Sequence, residues 1–106
     1  MSDNLKAVCY TMNTVGDYAP LGVVDNISVS VNGSILTAEI FLDEKVIKKF
    51  LEEIERNPEI KCNYLLLIEF YDGEKLLVTK FIDRETLYEG KTITIVYNFE
   101  LSSSFE

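Results

Sequence analysis

Residues 27–42 have the sequence ISVSVNGSILTAEIFL, in which apolar and polar side chains alternate on both sides of an Asn32-Gly33 pair. Alternation with a period of two predicts two half-buried strands, and Asn-Gly favours the type I′ turn that joins such strands into a hairpin. With Asn32-Gly33 as the two loop residues, Val31 is expected to face Ser34. A shift by one residue would turn one strand's apolar side chains to water, so the pattern and the turn predict the same register. The apolar face of this hairpin consists of Ile27, Val29, Val31, Leu36, Ala38, Ile40 and Leu42.

Two apolar side chains, Ile35 and Phe41, fall on the hairpin face that is otherwise polar. The favoured interpretation is that they are covered by a helix or by the N-terminal strand, because a helix that needs a platform follows in the sequence. The alternative is an exposed patch through which the protein binds itself or a partner. Ile35 and Phe41 are therefore the candidate interaction residues.

An amphipathic helix is predicted over about residues 43–56, directly after the hairpin. Asp43 is placed as its N-cap, and Asn57-Pro58 is expected to end it. Helical spacing brings five apolar side chains onto one stripe, while the remaining face is charged. The stripe consists of Val46, Ile47, Phe50, Leu51 and Ile54. The helix is therefore expected to pack across a sheet.

A second hairpin is predicted over residues 62–82, with its tip at Asp72-Gly73. With these two as the loop residues, Tyr64 is expected to face Phe81 across the hairpin. Both faces of these strands are rich in Leu, Ile, Val and Phe. Strands that are apolar on both faces are usually central and covered on both sides, which would provide the helix with a packing surface.

The rest of the chain supplies one strand at each end. Residues 5–12 are predicted to form the first strand, and residues 13–26, rich in Gly, Pro, Asn and Asp, an irregular loop. Residues 83–90 are expected to cross to another sheet edge or to form a short turn of helix, and residues 91–101 alternate well enough to form the last strand. The prediction is a single α+β domain over residues 1–106, of order β-ββ-α-ββ-β. Its strands are mostly antiparallel, in one sheet or in a two-sheet sandwich.

The composition excludes many kinds of chemistry. The chain has 106 residues, no His, and two cysteines, Cys9 and Cys62. Without imidazole there is no Ser-His-Asp triad, Cys-His pair or HExxH zinc site, and two distant cysteines cannot build a zinc knuckle or an iron–sulfur cluster. Because the acidic residues also lack the spacing of a calcium loop, we expect no catalytic residue, no metal site, no cofactor and no enzymatic activity. Cys9 and Cys62 either form one disulfide or remain buried thiols, and the second is favoured because nothing in the sequence indicates secretion.

The charge limits the choice of partners. Eighteen acidic and ten basic residues give a formal charge of −8. Such a field repels nucleic-acid phosphates and anionic membranes, and the sequence has no basic cluster to offset it, so we expect no direct nucleic-acid or membrane binding. The acidity either keeps the protein soluble or docks it on a basic protein. There is no signal-peptide pattern and no apolar run near the roughly 20 residues that span a bilayer, which predicts a cytoplasmic protein.

A magnesium-dependent nuclease is the enzyme alternative. Some small nucleases use carboxylates and an Asp/Glu-x-Lys tripeptide to hold the metal and steady the attacking group. Asp43-Glu44-Lys45 has this pattern, and Glu39 is nearby. However, the tripeptide falls at a helix start, where Asp43 is better explained as a cap, and no basic channel accompanies it.

One part of the chain resembles a known group of proteins. Residues 64–81, YLLLIEFYDGEKLLVTKF, and 87–97, LYEGKTITIVY, are similar to the closing strands of small β-sandwich modules in phage and archaeal-virus structural proteins. There, a hairpin with an Asp/Asn-Gly tip leads through a crossover to a last strand of alternating Thr and hydrophobic residues. The resemblance covers less than half of the chain, and the helix predicted at 43–56 departs from it. It implies a non-enzymatic building or attachment module, often oligomeric, with the virion as an alternative location.

These observations predict a non-enzymatic structural or protein-interaction module that associates with itself as a homo-oligomer. The second hypothesis is an acidic inhibitor or adaptor that binds a basic, nucleic-acid-handling protein. The third is the magnesium-dependent nuclease.

Overall fold

The computed structural model describes residues 4–13, 16–56, 64–83 and 92–100, which form seven strands and one helix around a shared core. The strands are β1 (Leu5–Met12), β2 (Tyr18–Val24), β3 (Ile27–Asn32), β4 (Ile35–Phe41), β5 (Leu65–Asp72), β6 (Lys75–Ile82) and β7 (Thr92–Asn98). The helix α1 spans Glu44–Arg56. All strand pairs in these ranges are antiparallel. The predicted α+β class with mostly antiparallel strands is confirmed.

The strands form two sheets, of order β2-β1-β5-β6 and β3-β4-β7. Their inner faces and α1 share one hydrophobic cluster, in which Phe50 of α1 and Phe70 of β5 are fully buried. The edge strands β6 and β7 lie side by side. Lys80 Nζ on β6 donates a hydrogen bond of 2.8 Å to the Thr94 carbonyl on β7, which ties the two sheets together at this edge.

The helix begins as predicted. Asp43 Oδ1 accepts a hydrogen bond of 2.9 Å from the Val46 backbone N–H, which is the N-cap interaction that satisfies a free helix donor. Val46, Phe50 and Ile54 are buried in the core, and α1 packs beside β1 and β2. The three-stranded sheet is one strand narrower than the four-stranded sheet and approaches it at β6. The helix therefore covers the core side of the wider sheet at its opposite end.

Strand β2 lies inside the segment expected to be an irregular loop, so that expectation is wrong. Its Pro20 and Gly22 are residues that normally argue against a strand. Here β2 is an edge strand, where a proline can lie without breaking a ladder hydrogen bond. The register with β1 shifts between the Cys9–Gly22 and Tyr10–Pro20 pairs, and Gly22 has a φ of 142°, which a glycine adopts readily.

Both predicted turns lie one residue too early. The observed pairs Asn32–Ile35 and Asp72–Lys75 leave Gly33-Ser34 and Gly73-Glu74 as the loop residues. Both glycines have a φ of 63°, while Ser34 and Glu74 keep negative φ, which is the pattern of a type II′ turn with Gly first. In the first hairpin the partners change by two residues, so every side chain keeps its predicted face. Val29, for example, pairs with Ala38 instead of Leu36.

In the second hairpin a further irregularity changes the faces. The register shifts once more between Phe70 and Tyr71, which leaves Leu77 as an extra residue on β6. Beyond Leu77, each side chain of β6 points to the face opposite the one that the predicted pairing gives it. Phe81 therefore lies outside and is 52% exposed, whereas Ile82 is buried in the core.

Several predicted features fall outside the described residues. These are the helix end at Asn57-Pro58, Cys62, nearly all of the 83–90 crossover and the outermost residues of the last strand. Within the described ranges, no helix has the length and apolar character needed to cross a bilayer.

Candidate interaction face on the four-stranded sheet

The four-stranded sheet has an inner face toward the core and an outer face directed away from it. Ala7, Cys9 and Thr11 of β1 are buried on the inner side, so the alternate positions of β1 and their cross-strand partners lie outside. We call this surface the outer sheet face. Its members are Lys6, Val8, Tyr10, Met12, Tyr18, Pro20, Val23, Leu65, Leu67, Glu69, Tyr71, Leu76, Thr79 and Phe81.

Large apolar side chains on this face are open to solvent. Tyr18 is 61% exposed, Val23 58%, Phe81 52% and Leu76 45%. All four belong to the edge strands β2 and β6. On the central strand β5, Leu67, which pairs with Tyr10 and Phe81, is only 5% exposed. A surface that is apolar across all four strands is unusual for a chain that works alone.

A chain of contacts runs across the face from β2 to β5. The rings of Tyr10 and Tyr18 meet edge to face, with centroids 6.2 Å apart. The Tyr71 hydroxyl donates a hydrogen bond of 3.2 Å to Glu69 Oε1, and Lys6 Nζ lies 5.8 Å from the centre of the Tyr71 ring. Desolvation, followed by the charge of Glu69, raises the pKa of both Tyr10 and Tyr71 above the ordinary value of 10.0.

The outer sheet face is nearly free of charge. Among its members, Lys6 and Glu69 alone are charged, and their charges are opposite. The whole chain, by contrast, carries a formal charge of −8. Among the described residues, the excess acidity therefore lies outside this face.

The predicted interaction residues lie on the other sheet. Ile35 and Phe41 are half-buried at opposite ends of β4, on the outward face of the three-stranded sheet, so the helix on the core side does not cover them. They lie six positions apart along an extended strand, which is about 20 Å. Thr37 and the exposed Glu39 lie between them on the same face. The structure therefore does not bring Ile35 and Phe41 together into one patch.

The sequence contained the signal for the outer sheet face. The second hairpin is apolar at consecutive positions, including Leu65, Leu66 and Leu67, which shows that both of its sides are apolar. Such strands were expected to be covered on both sides. In the structure the helix covers the inner side, and on the outer side large apolar side chains of β2 and β6 are exposed.

The residues of the nuclease hypothesis have structural roles or lie apart. The Asp43 carboxylate accepts the Val46 N–H at the start of α1, while Glu39 points outward from the three-stranded sheet. Over the described ranges, no three His, Cys, Asp or Glu side chains lie close enough to share a metal ion. The predicted capping role of Asp43 is confirmed.

A polar cleft at one end of β1 is lined by Thr11, Asn13, Asp17 and Glu53, among others. Its groups bind one another. The Asp17 N–H donates to Asn13 Oδ1 at 3.1 Å, Asn13 Nδ2 donates to Asp17 Oδ2 at 3.4 Å, and Thr11 Oγ1 donates to the Ala19 carbonyl at 3.3 Å. These bonds close the connection between β1 and β2, so the cleft has a structural role.

Cys9 is a free thiol that is fully buried on the inner side of β1. Burial, with a further contribution from the negative charge of Asp43, raises the pKa of this thiol to about 12. The thiolate is the reactive form of cysteine, so Cys9 behaves as a small core residue rather than as a nucleophile.

Comparisons of the chain with protein-family models, with curated proteins and with solved structures found no match.

Proposed function

We propose that this protein is a non-enzymatic structural module whose copies associate through the outer sheet face. The observation that carries the proposal is a nearly uncharged apolar face over the four strands of the wider sheet, with large side chains exposed on both of its edge strands. The resemblance of residues 64–81 and 87–97 to virion building modules supports the same proposal. A cytosol-like compartment or a virus particle would both suit such a module.

The size of the face fits a modest but specific interface. Four strands of seven or eight residues cover roughly 19 by 25 Å, from a strand spacing of about 4.8 Å and a rise of about 3.3 Å per residue. Two such faces packed together would bury on the order of 1,000 Å² in total, which is near the lower limit for a specific protein interface. The exposed rings of Tyr18 and Phe81 supply the aromatic area that interface cores favour.

The charge distribution favours a second copy as the occupant. Two chains of charge −8 repel each other over most of their surfaces, and the outer sheet face is where this repulsion is weakest. A basic partner would instead be drawn to the acidic surfaces of the molecule, away from this face. A membrane-binding face normally has a rim of Lys and Arg, and among the members of this face Lys6 is the one basic residue.

Sedimentation equilibrium from micromolar to millimolar concentration tests the proposal with two matched variants. Phe81 and Val96 both point outward from edge strands and are 52% and 58% exposed, but they lie on different sheets. We expect the wild type and Val96→Asp to dimerise and Phe81→Asp to remain monomeric, because Phe81→Asp places a charge inside the interface. Circular dichroism and thermal melting confirm that each variant folds.

Two outcomes would refute the proposal. A wild type that is monomeric at every concentration removes self-association altogether. Loss of the dimer in Val96→Asp but not in Phe81→Asp would move the interface to the three-stranded sheet, where Ile35 and Phe41 lie.

A further inference from the structure

We infer that two copies pair about a two-fold axis parallel to their strands, so that Lys6 of each copy lies against Glu69 of the other. This inference rests on the self-association proposed above and adds its geometry. It depends on where the two charged residues lie along the outer sheet face.

The cross-strand pairs divide the outer sheet face into rows that run across the strands. In order along the strands, the rows are Lys6–Tyr71–Leu76, Val23–Val8–Glu69–Thr79, Pro20–Tyr10–Leu67–Phe81 and Tyr18–Met12–Leu65. The first two rows contain both charges, and we call them the polar end. The last two rows contain no charge, and we call them the apolar end. The face is therefore asymmetric along the strands.

Two copies that pack face to face with their strands aligned, as in a β-sandwich, can be related by two kinds of two-fold axis. An axis across the strands puts the polar end of one copy on the apolar end of the other. Lys6 would then lie over Met12 of the second copy, and both charges would lose water without gaining a partner, which is costly.

An axis along the strands puts polar end on polar end and apolar end on apolar end. It also exchanges strands, so that β1 of one copy lies over β5 of the other. Lys6 then lies over Tyr71 of the second copy, and Glu69 of that copy is two residues further along the same strand, about 7 Å away. A lysine side chain spans this distance, and the symmetry repeats the pair. Each charge that the interface buries thereby gains an opposite charge.

In the monomer, the Lys6 ammonium group and the Glu69 carboxylate already lie near the positions that this pairing between copies requires. Lys6 leans across the sheet toward β5, with its ammonium group 5.8 Å from the centre of its own Tyr71 ring. Glu69 is held beside the same ring by the Tyr71 hydroxyl at 3.2 Å. Lys6 and Glu69 are both half-buried, so little further ordering is needed when the faces meet.

Charge reversal tests this geometry. Alone, Lys6→Glu and Glu69→Lys each place like charges against each other in the dimer, and we expect the dimer dissociation constant of each to rise about tenfold or more. Mixed together, the two variants form a heterodimer in which both pairs are again opposite. We expect its dissociation constant to return to within about threefold of the wild type, measured by fluorescence titration of one labelled variant with the other.

A matched control separates contact from overall charge. Each reversal changes the formal charge of −8 by two, to −10 or −6, so the mixed partners still repel each other at long range. Glu39→Lys also gives −6, but Glu39 is exposed on the other sheet. In the mixture of Lys6→Glu with Glu39→Lys, one of the two symmetry-related pairs still has two negative charges, so we expect its dissociation constant to stay well above that of the heterodimer of Lys6→Glu with Glu69→Lys. Tyr71→Phe removes the hydrogen bond to Glu69 and should leave the dimer in place.

The outcomes distinguish the two proposals. A monomeric wild type refutes both. If the wild type dimerises and Phe81→Asp does not, but mixing Lys6→Glu with Glu69→Lys restores nothing, the axis along the strands is refuted while the interface stands. The paired geometry would also be refuted if Lys6→Glu bound Glu39→Lys as tightly as it binds Glu69→Lys.

Discussion

Truncation of Phe50 tests the position of the helix. Phe50 is the central side chain of the α1 stripe and is fully buried in the cluster shared with both sheets. Replacing a buried Phe by Ala removes its apolar contacts and leaves a cavity, which costs about 3–5 kcal/mol. A chain of 106 residues has a folding free energy on the order of 5–15 kcal/mol, so Phe50→Ala should remove a large fraction of the stability.

Urea unfolding followed by circular dichroism measures this loss. With a slope of about 2 kcal/mol per molar urea, a loss of about 4 kcal/mol lowers the unfolding midpoint by about 2 M. Leu51→Ala is the matched control, because Leu51 lies on the same helix but is only partly buried against the core. Protein concentration must be equal in all samples, since dimerisation would add stability. Equal losses for Phe50→Ala and Leu51→Ala would refute the helix position described above.

Two further predictions concern Asp43 and Cys9. Asp43→Ala should lower the free energy of unfolding, measured in urea, by about 1 kcal/mol. Asp43→Asn should lower it by much less, because an Asn side chain still accepts the Val46 N–H. Equal losses in the two variants would contradict the capping role. The folded pKa of Cys9 is about 12, against an ordinary value of 9.0, so the folded state keeps the thiol proton while the unfolded chain loses it. Stability is therefore expected to fall as pH rises from about 9 toward 12, by up to about 4 kcal/mol, and this part of the fall should disappear in Cys9→Ala. Parallel alkaline unfolding curves for the wild type and Cys9→Ala would contradict it.

The elements that depend on neighbouring residues were predictable from the sequence. Strand β1 lies at the predicted residues 5–12. The start of α1 was also predictable, because the Asp43 cap and the Val46 N–H that it accepts are only three residues apart in the sequence. The faces of the first hairpin were also predicted correctly, since alternation alone determines them. The turn itself was placed one residue early, because Asn32-Gly33 and Gly33-Ser34 are both good loop pairs and the choice depends on the pairing of the whole hairpin.

The remaining features depend on contacts that are distant in the sequence. Strand β2 contains Pro20 and Gly22, which a strand tolerates only at a sheet edge or a bulge, and edge position is a property of the assembled sheet. The irregularity after Leu76 reverses the faces of β6 and brings Phe81 to the surface, although its local pattern predicts the core.

The candidate interaction face shows the same division. Composition alone excludes imidazole chemistry, and consecutive apolar residues in the second hairpin show that both of its sides are apolar. Which side the helix would cover was beyond the sequence, because a helix stripe fits any apolar sheet surface of suitable width. The choice depends on how the narrower sheet is placed over the wider one, and that placement leaves the β1–β2 end of the core open for α1. The sequence alone therefore determines that the outer sheet face is apolar. The placement of the two sheets and the helix decides that this face is the one α1 does not cover.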